Sequence, residues 1–128
     1  MNKQHDIEGL FYLFNTGEGR TSPVFSGYRP EHKIHDNYFT CGEHEYLEVN
    51  QVNLGEIAKV GVRFITPDVY PNSVWIGREI NVQEGKRVIG KIVVTEIFNE
   101  VLLVDPKNYK SEWVVPPNID MLGRKLKN

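Results

Sequence analysis

Residues 78–94 read Arg78-Glu79-Ile80-Asn81-Val82-Gln83-Glu84-Gly85-Lys86-Arg87-Val88-Ile89-Gly90-Lys91-Ile92-Val93-Val94, and their reading decides the fold. In an extended chain successive side chains point to opposite faces. Ile80 and Val82 therefore fall on one side, and Glu79, Asn81 and Gln83 on the other. Glu84-Gly85-Lys86 is a short turn, in which Gly85 supplies a backbone conformation that excludes a Cβ. The return run over residues 88–94 is largely apolar on both faces, as a central strand is. Two such runs around a short Gly-containing turn make a β-hairpin.

The same period extends outward from this hairpin. Ala58, Val60, Val62 and Phe64 share one face, and Lys59, Gly61 and Arg63 the other. Pro67, with no amide to donate, stops that strand. Residues 7–14 are aromatic and aliphatic and end at Asn15-Thr16-Gly17-Glu18-Gly19, a strand followed by a turn. Residues 101–104 are expected to form one more strand. Asp105-Pro106-Lys107-Asn108 is a turn, and Trp113-Val114-Val115 a short apolar run closed by Pro116-Pro117. Residues 101–115 should pack back on the strands, because Val, Leu and Trp are costly to expose together. The basic end Arg124-Lys125-Leu126-Lys127 is expected to fray. No stretch carries a sustained 3.6-residue apolar stripe, so helix content should be low. Short strands spaced by turns suggest a barrel or a sandwich.

The 128 residues suit one domain. Forty per cent are apolar, 25% charged and 11% aromatic, which excludes a disordered or fibrous chain. The net charge is −2, without the basic excess of a domain that lives on nucleic-acid phosphates. The single cysteine, Cys41, permits no intrachain disulfide and suits a reducing compartment. The stretch MNKQHDIEG has no apolar run of signal-peptide length, and the apolar stretches fall short of the ~20 residues that cross a bilayer. The expectation is a cytoplasmic protein with no membrane partner.

Thr21-Ser22-Pro23-Val24-Phe25-Ser26-Gly27-Tyr28-Arg29-Pro30, preceded by the turn Gly17-Glu18-Gly19-Arg20, resembles the segment that opens the third domain of bacterial elongation factor Tu. A second stretch, Gln83-Glu84-Gly85-Lys86-Arg87-Val88-Ile89-Gly90 with Val93-Val94-Thr95-Glu96-Ile97, resembles that domain's terminal hairpin. The two matches stand in the family's order and frame residues 7–99. Between them, Asn53-Leu54-Gly55-Glu56 stands where the family has Pro-Gly-Asp. The resemblance implies an all-β fold, a six-stranded antiparallel Greek-key barrel over residues 1–99, with residues 100–128 as a C-terminal extension. Gly27 and Gly85 should both sit where a Cβ is excluded. A fold does not carry its function with it, so the parent's activity is not implied.

Several patterns bear on chemistry. Residues 85–91 fit G-x-x-x-x-G-K, but Ile92 stands where a phosphate loop needs Ser or Thr, and no helix is expected after it. His32, His35, Cys41 and His44 carry zinc-ligand side chains, yet their spacing is not that of a finger. His32 and His35 would also face opposite ways on a strand. They read as surface histidines and a small buried cysteine, with no metal. Glu43 and Glu45 read as solvated loop residues. No nucleophile, base and acid can be singled out, so no catalysis and no cofactor is expected.

In the family this barrel meets the backbone of aminoacyl-tRNA through hydroxyls, a lysine and a glycine amide. The resemblance puts Ser22, Asp36, Thr66 and Gly85 at those RNA-facing places. Asp36 replaces a hydroxyl and Thr66 the lysine. A carboxylate near phosphates repels, and a lost lysine loses about one counterion's worth of affinity. These departures weigh against tRNA as a partner. The expected function is a non-catalytic protein-binding module. Tyr28, Arg29, Tyr70 and Trp75 are its expected exposed contacts, because aromatics and Arg anchor interfaces. Trp75 has core packing as its rival role. The alternatives are an immunity protein or antitoxin that occupies a toxin by mimicking the translation factor, and a translation-linked tRNA binder.

Overall fold

The computed structural model describes residues 4–117 and 119. Eight strands follow one another: β1 (Ile7–Leu13), β2 (Val24–Phe25), β3 (Glu31–His35), β4 (Tyr38–Tyr46), β5 (Gln51–Val52), β6 (Ile57–Phe64), β7 (Glu79–Glu84) and β8 (Arg87–Ile97). Six of them close a barrel in the order β1-β6-β4-β3-β7-β8, every neighbour antiparallel. Here β3, β4 and β6 are consecutive neighbours, while β7 returns beside β3. That is a Greek key. The expected all-β, six-stranded antiparallel barrel is the observed fold. Closure removes the edges of an open sheet.

The alternation read from the sequence sets which side chains fill the barrel. Ala58, Val60, Val62 and Phe64 of β6 are buried, and so are Ile80 and Val82 of β7. The turn after β7 is built as expected, with Gly85 at φ 59°; Gly27 has φ 98°. On β4 the inward set is Thr40, Gly42, His44 and Tyr46, and Gly42 makes room for a ring. A Cβ there would lie 3.0 Å from Cε1 of His32 and 2.8 Å from Cγ1 of Val62.

Each end of the barrel has its own cover. The ribbon β2–β5 lies at the end where β4 stops and β8 begins, with Val24 and Val52 buried beneath it. We call this the upper end. At the lower end residues 65–78 and the C-terminal extension close the core with Val69, Tyr70, Val74 and Leu102. Leu102 and Trp113 pack on the core, and residues 101–104 are not a strand. Glu100–Leu102 is one turn of 3-10 helix, and Leu103 meets Val74 in a single parallel bridge. Asn99 explains the difference: its side chain accepts from the Val101 amide and starts the turn. Residues 124–127, expected to fray, lie outside the described residues.

One seam is thin. β3 and β7 pair only at Glu31↔Gln83 and His32↔Val82, and a bulge interrupts β3 between Lys33 and His35. Arg78, buried, bridges the gap. Its Nη2 donates to the carbonyl of Ile34 at 2.7 Å, and its Nη1 to that of Ser73. The guanidinium lies over the rings of Trp75 and Tyr109, 5.1 and 4.8 Å from their centroids. The Tyr109 hydroxyl donates to the Ile34 carbonyl at 2.6 Å, so the extension helps to close the seam.

Candidate docking face and polar interior

A chain of hydrogen bonds runs through the barrel, and a fixed end sets its direction. Nδ1 of His32 lies 3.1 Å from the carbonyl of Thr40, which can only accept, so His32 carries its proton on Nδ1. Its Nε2 then accepts from Nε2–H of His44 at 2.8 Å. Nδ1 of His44 in turn accepts from the hydroxyl of Tyr46 at 2.9 Å. Burial pushes the pKa of His32 down to about 4, against a partial lift from the Thr40 carbonyl. Burial, together with His32, holds that of His44 well below the ordinary value. Both rings are neutral at pH 7 and fully buried. The chain satisfies polar groups inside a core, and its two histidines meet no solvent.

The zinc-ligand types do not converge. His32 and His44 face each other, but His35 sits at the lower end, 2.8 Å from the Lys110 carbonyl, and Cys41 points outward. Among the described residues no group of three or more His, Cys, Asp or Glu could hold a metal ion. The expectation of surface histidines and a buried cysteine is corrected. On β4 the even positions face in, which buries His44 and exposes Cys41. The bulge in β3 lets His32 and His35 both be buried despite their odd spacing. The run Gly85 to Lys91 lies on a hairpin turn and on β8, followed by more strand rather than a helix.

Both sets of expected contacts are divided between the ends of the barrel. Ser22 and Gly85 are at the upper end, and Asp36 and Thr66 at the lower, beyond the far ends of β3 and β6. The five residue steps from Glu31 to Asp36 correspond to about 16 Å of strand. Tyr28 and Arg29 are likewise above, and Tyr70 and Trp75 below. Tyr28 is half-buried, and its hydroxyl donates to Oε2 of Glu84 at 2.5 Å. Nη1 of Arg20 donates to the same oxygen at 2.5 Å, and its Nη2 to Oγ of Ser22 at 3.0 Å. Burial opposes the charge on Glu84, but the bonds from Tyr28 and Arg20 outweigh it and hold the carboxyl below its usual range. Arg29 is exposed and pairs with Glu43 at 3.1 Å. Tyr70, expected at the surface, is 0% exposed. Its ring fills the lower core and its hydroxyl donates to the Ile65 carbonyl at 2.6 Å, which makes it a plug rather than a contact. Trp75 is half-buried against Arg78 and Tyr109.

The outer wall of β6, β1 and β8 shows what the sequence reading missed. Leu10 faces Val93 across one strand pair, and Tyr12 faces Ile57 across the other. Such opposed side chains stand about 5 Å apart at Cβ, so the four form one apolar field. Phe14 extends it, its ring 5.2 Å from that of Tyr12. Leu10 is 42% exposed and Ile57 65%. Lys59 and Lys91 flank the field as register partners of Leu10 and Tyr12. Lys91 pairs with Glu79 at 2.9 Å, whereas Lys59 makes no ion pair among the described residues. The signal was present in the sequence, in the alternate residues Leu10, Tyr12 and Phe14 opposite an equally apolar inward set. An apolar run alone does not say that one of its faces stays uncovered. No family model matches the chain.

Proposed function

We propose that this barrel is a non-catalytic protein-binding module that docks a partner through the outer wall of β6, β1 and β8. One observation carries the reading: Leu10, Tyr12, Ile57 and Val93 form a contiguous apolar field on the outside of a closed sheet. Covering it would return the hydrophobic free energy that folding leaves unused. The partner is a different protein, apolar at its centre and carrying a carboxylate opposite Lys59, which has no ion pair among the described residues. Tyr28 and Arg29, engaged by Glu84 and Glu43, play a bracing part in this reading. The resemblance to the third domain of elongation factor Tu supports it as well, because that domain works by packing against proteins.

The test places a photo-crosslinking amino acid at Ile57 and, as a control, at Glu18 in an exposed loop. In cells a discrete adduct is expected at Ile57 alone, lost on Leu10→Asp. Equal adducts at the two positions, or none, would overturn the reading. Adducts of twice the chain mass would replace the partner by a second copy.

A further inference from the structure

At the lower end of the barrel a cleft of about 660 Å³ lies between residues 70–72 and the extension. That volume is in the range of small-molecule sites. His35 lines it and is 6% exposed. Its Nδ1 lies 2.8 Å from the Lys110 carbonyl, an acceptor only, so the ring proton is on Nδ1 and the lone pair on Nε2. Nε2 has no hydrogen-bond partner among the described residues, yet it is not among their sealed, unpartnered atoms. It therefore keeps access to solvent, on a residue that lines the cleft. Burial lowers the pKa of this ring against a partial lift from the Lys110 carbonyl, and Arg78 adds to the lowering, so the lone pair is present at neutral pH.

The surroundings define what would fit. Trp113, Pro116 and Pro117 give apolar walls. Lys110 and Glu112 bring opposite charges that cancel at the rim, and Asn72 adds an amide. We infer that the cleft is a binding site for an uncharged, planar hydroxyaryl molecule whose hydroxyl donates to Nε2 of His35. The apolar walls take the ring, and the almost wholly buried acceptor selects the donor, because a ligand without one leaves that lone pair unpaired.

The test uses the unaltered full chain, so no substitution can unfold it. Phenol and anisole, alike in shape but only the first a donor, are titrated while the imidazole and amide nitrogens are followed by NMR. Phenol is expected to bind saturably, about fivefold tighter than anisole. It should move the His35 Nε2 signal and the Trp113 indole N–H together. Equal affinity for the two, a silent His35, or no saturable binding of either would overturn the assignment. The docking face is on a different wall, so this result leaves that reading untouched.

Discussion

Nε2 of His32 faces Nε2 of His44 at 2.8 Å in the barrel interior, and only one proton lies between them. A second proton would place a charge in a buried site and set two N–H groups against each other, so folding selects the neutral pair. The pKa of His32 falls from 6.5 to about 4 on folding, and between those values the unfolded chain binds more protons. Stability is thus fully present above pH 6.5 and drains as the pH falls toward 4. For His32 alone the loss between pH 7.5 and pH 5 is about 2 kcal/mol. Urea unfolding at the two values measures it. A flat profile over that interval would mean that the pair is not neutral at pH 7.

Tyr46→Phe tests the far end of the same chain. The hydroxyl is the donor to Nδ1 of His44, and its loss leaves a buried acceptor unpaired. The ring stays, stacked 5.9 Å from Phe11, so packing is conserved. The expected cost is about 1–3 kcal/mol in the unfolding free energy at pH 7.5. A change within about 0.3 kcal/mol would mean that the Tyr46 hydroxyl is not bonded to His44 in solution.

Gly42→Ala and Gly85→Ala separate two reasons for a glycine. At Gly42 the added Cβ meets Val62, His32 and Phe64 at 2.8, 3.0 and 3.1 Å inside a filled barrel. Overpacking of that kind costs about 1–3 kcal/mol. At Gly85 the Cβ meets nothing within 4 Å, and only the φ of 59° resists it, for about 1 kcal/mol. Denaturant midpoints should rank Gly42→Ala as the more damaging. The reverse order would mean that His32 shifts easily to make room.

The barrel was legible because its evidence is periodic. Ala58, Val60, Val62 and Phe64 announce a face whatever they pack against, and the hairpin around Gly85 announces a register. The site was less legible, because exposure is a property of neighbours. Tyr70 reads like an interface aromatic until residues 65–78 fold under the barrel and bury it. His32 and His44, twelve residues apart, become a pair only once β3 and β4 lie side by side. The bulge that buries His35 leaves no mark in the residue pattern. Leu10 and Ile57 show the converse: both are apolar and both end up outside, because closing the barrel fills its interior with the alternate residues.

Arg78→Lys examines the thin seam between β3 and β7. The planar guanidinium reaches the carbonyls of Ser73 and Ile34 at once while lying against Trp75 and Tyr109. An ammonium is compact and cannot span both carbonyls or stack flat. At least one buried carbonyl would lose its donor, at a cost of about 1–3 kcal/mol. The loss should also be local. The Asp36 amide donates to the Ser111 carbonyl at 2.8 Å, and Asn37 exchanges bonds with the Trp113 backbone at 2.6 and 3.2 Å, so residues 109–113 are held close to the seam. Hydrogen exchange should quicken at the Asp36 and Trp113 amides in the lysine variant, while amides in the β1–β6 ladder keep their protection. If the two regions instead lose protection equally, the seam opens only with the whole barrel, and Arg78 stabilises the fold globally rather than fastening the extension.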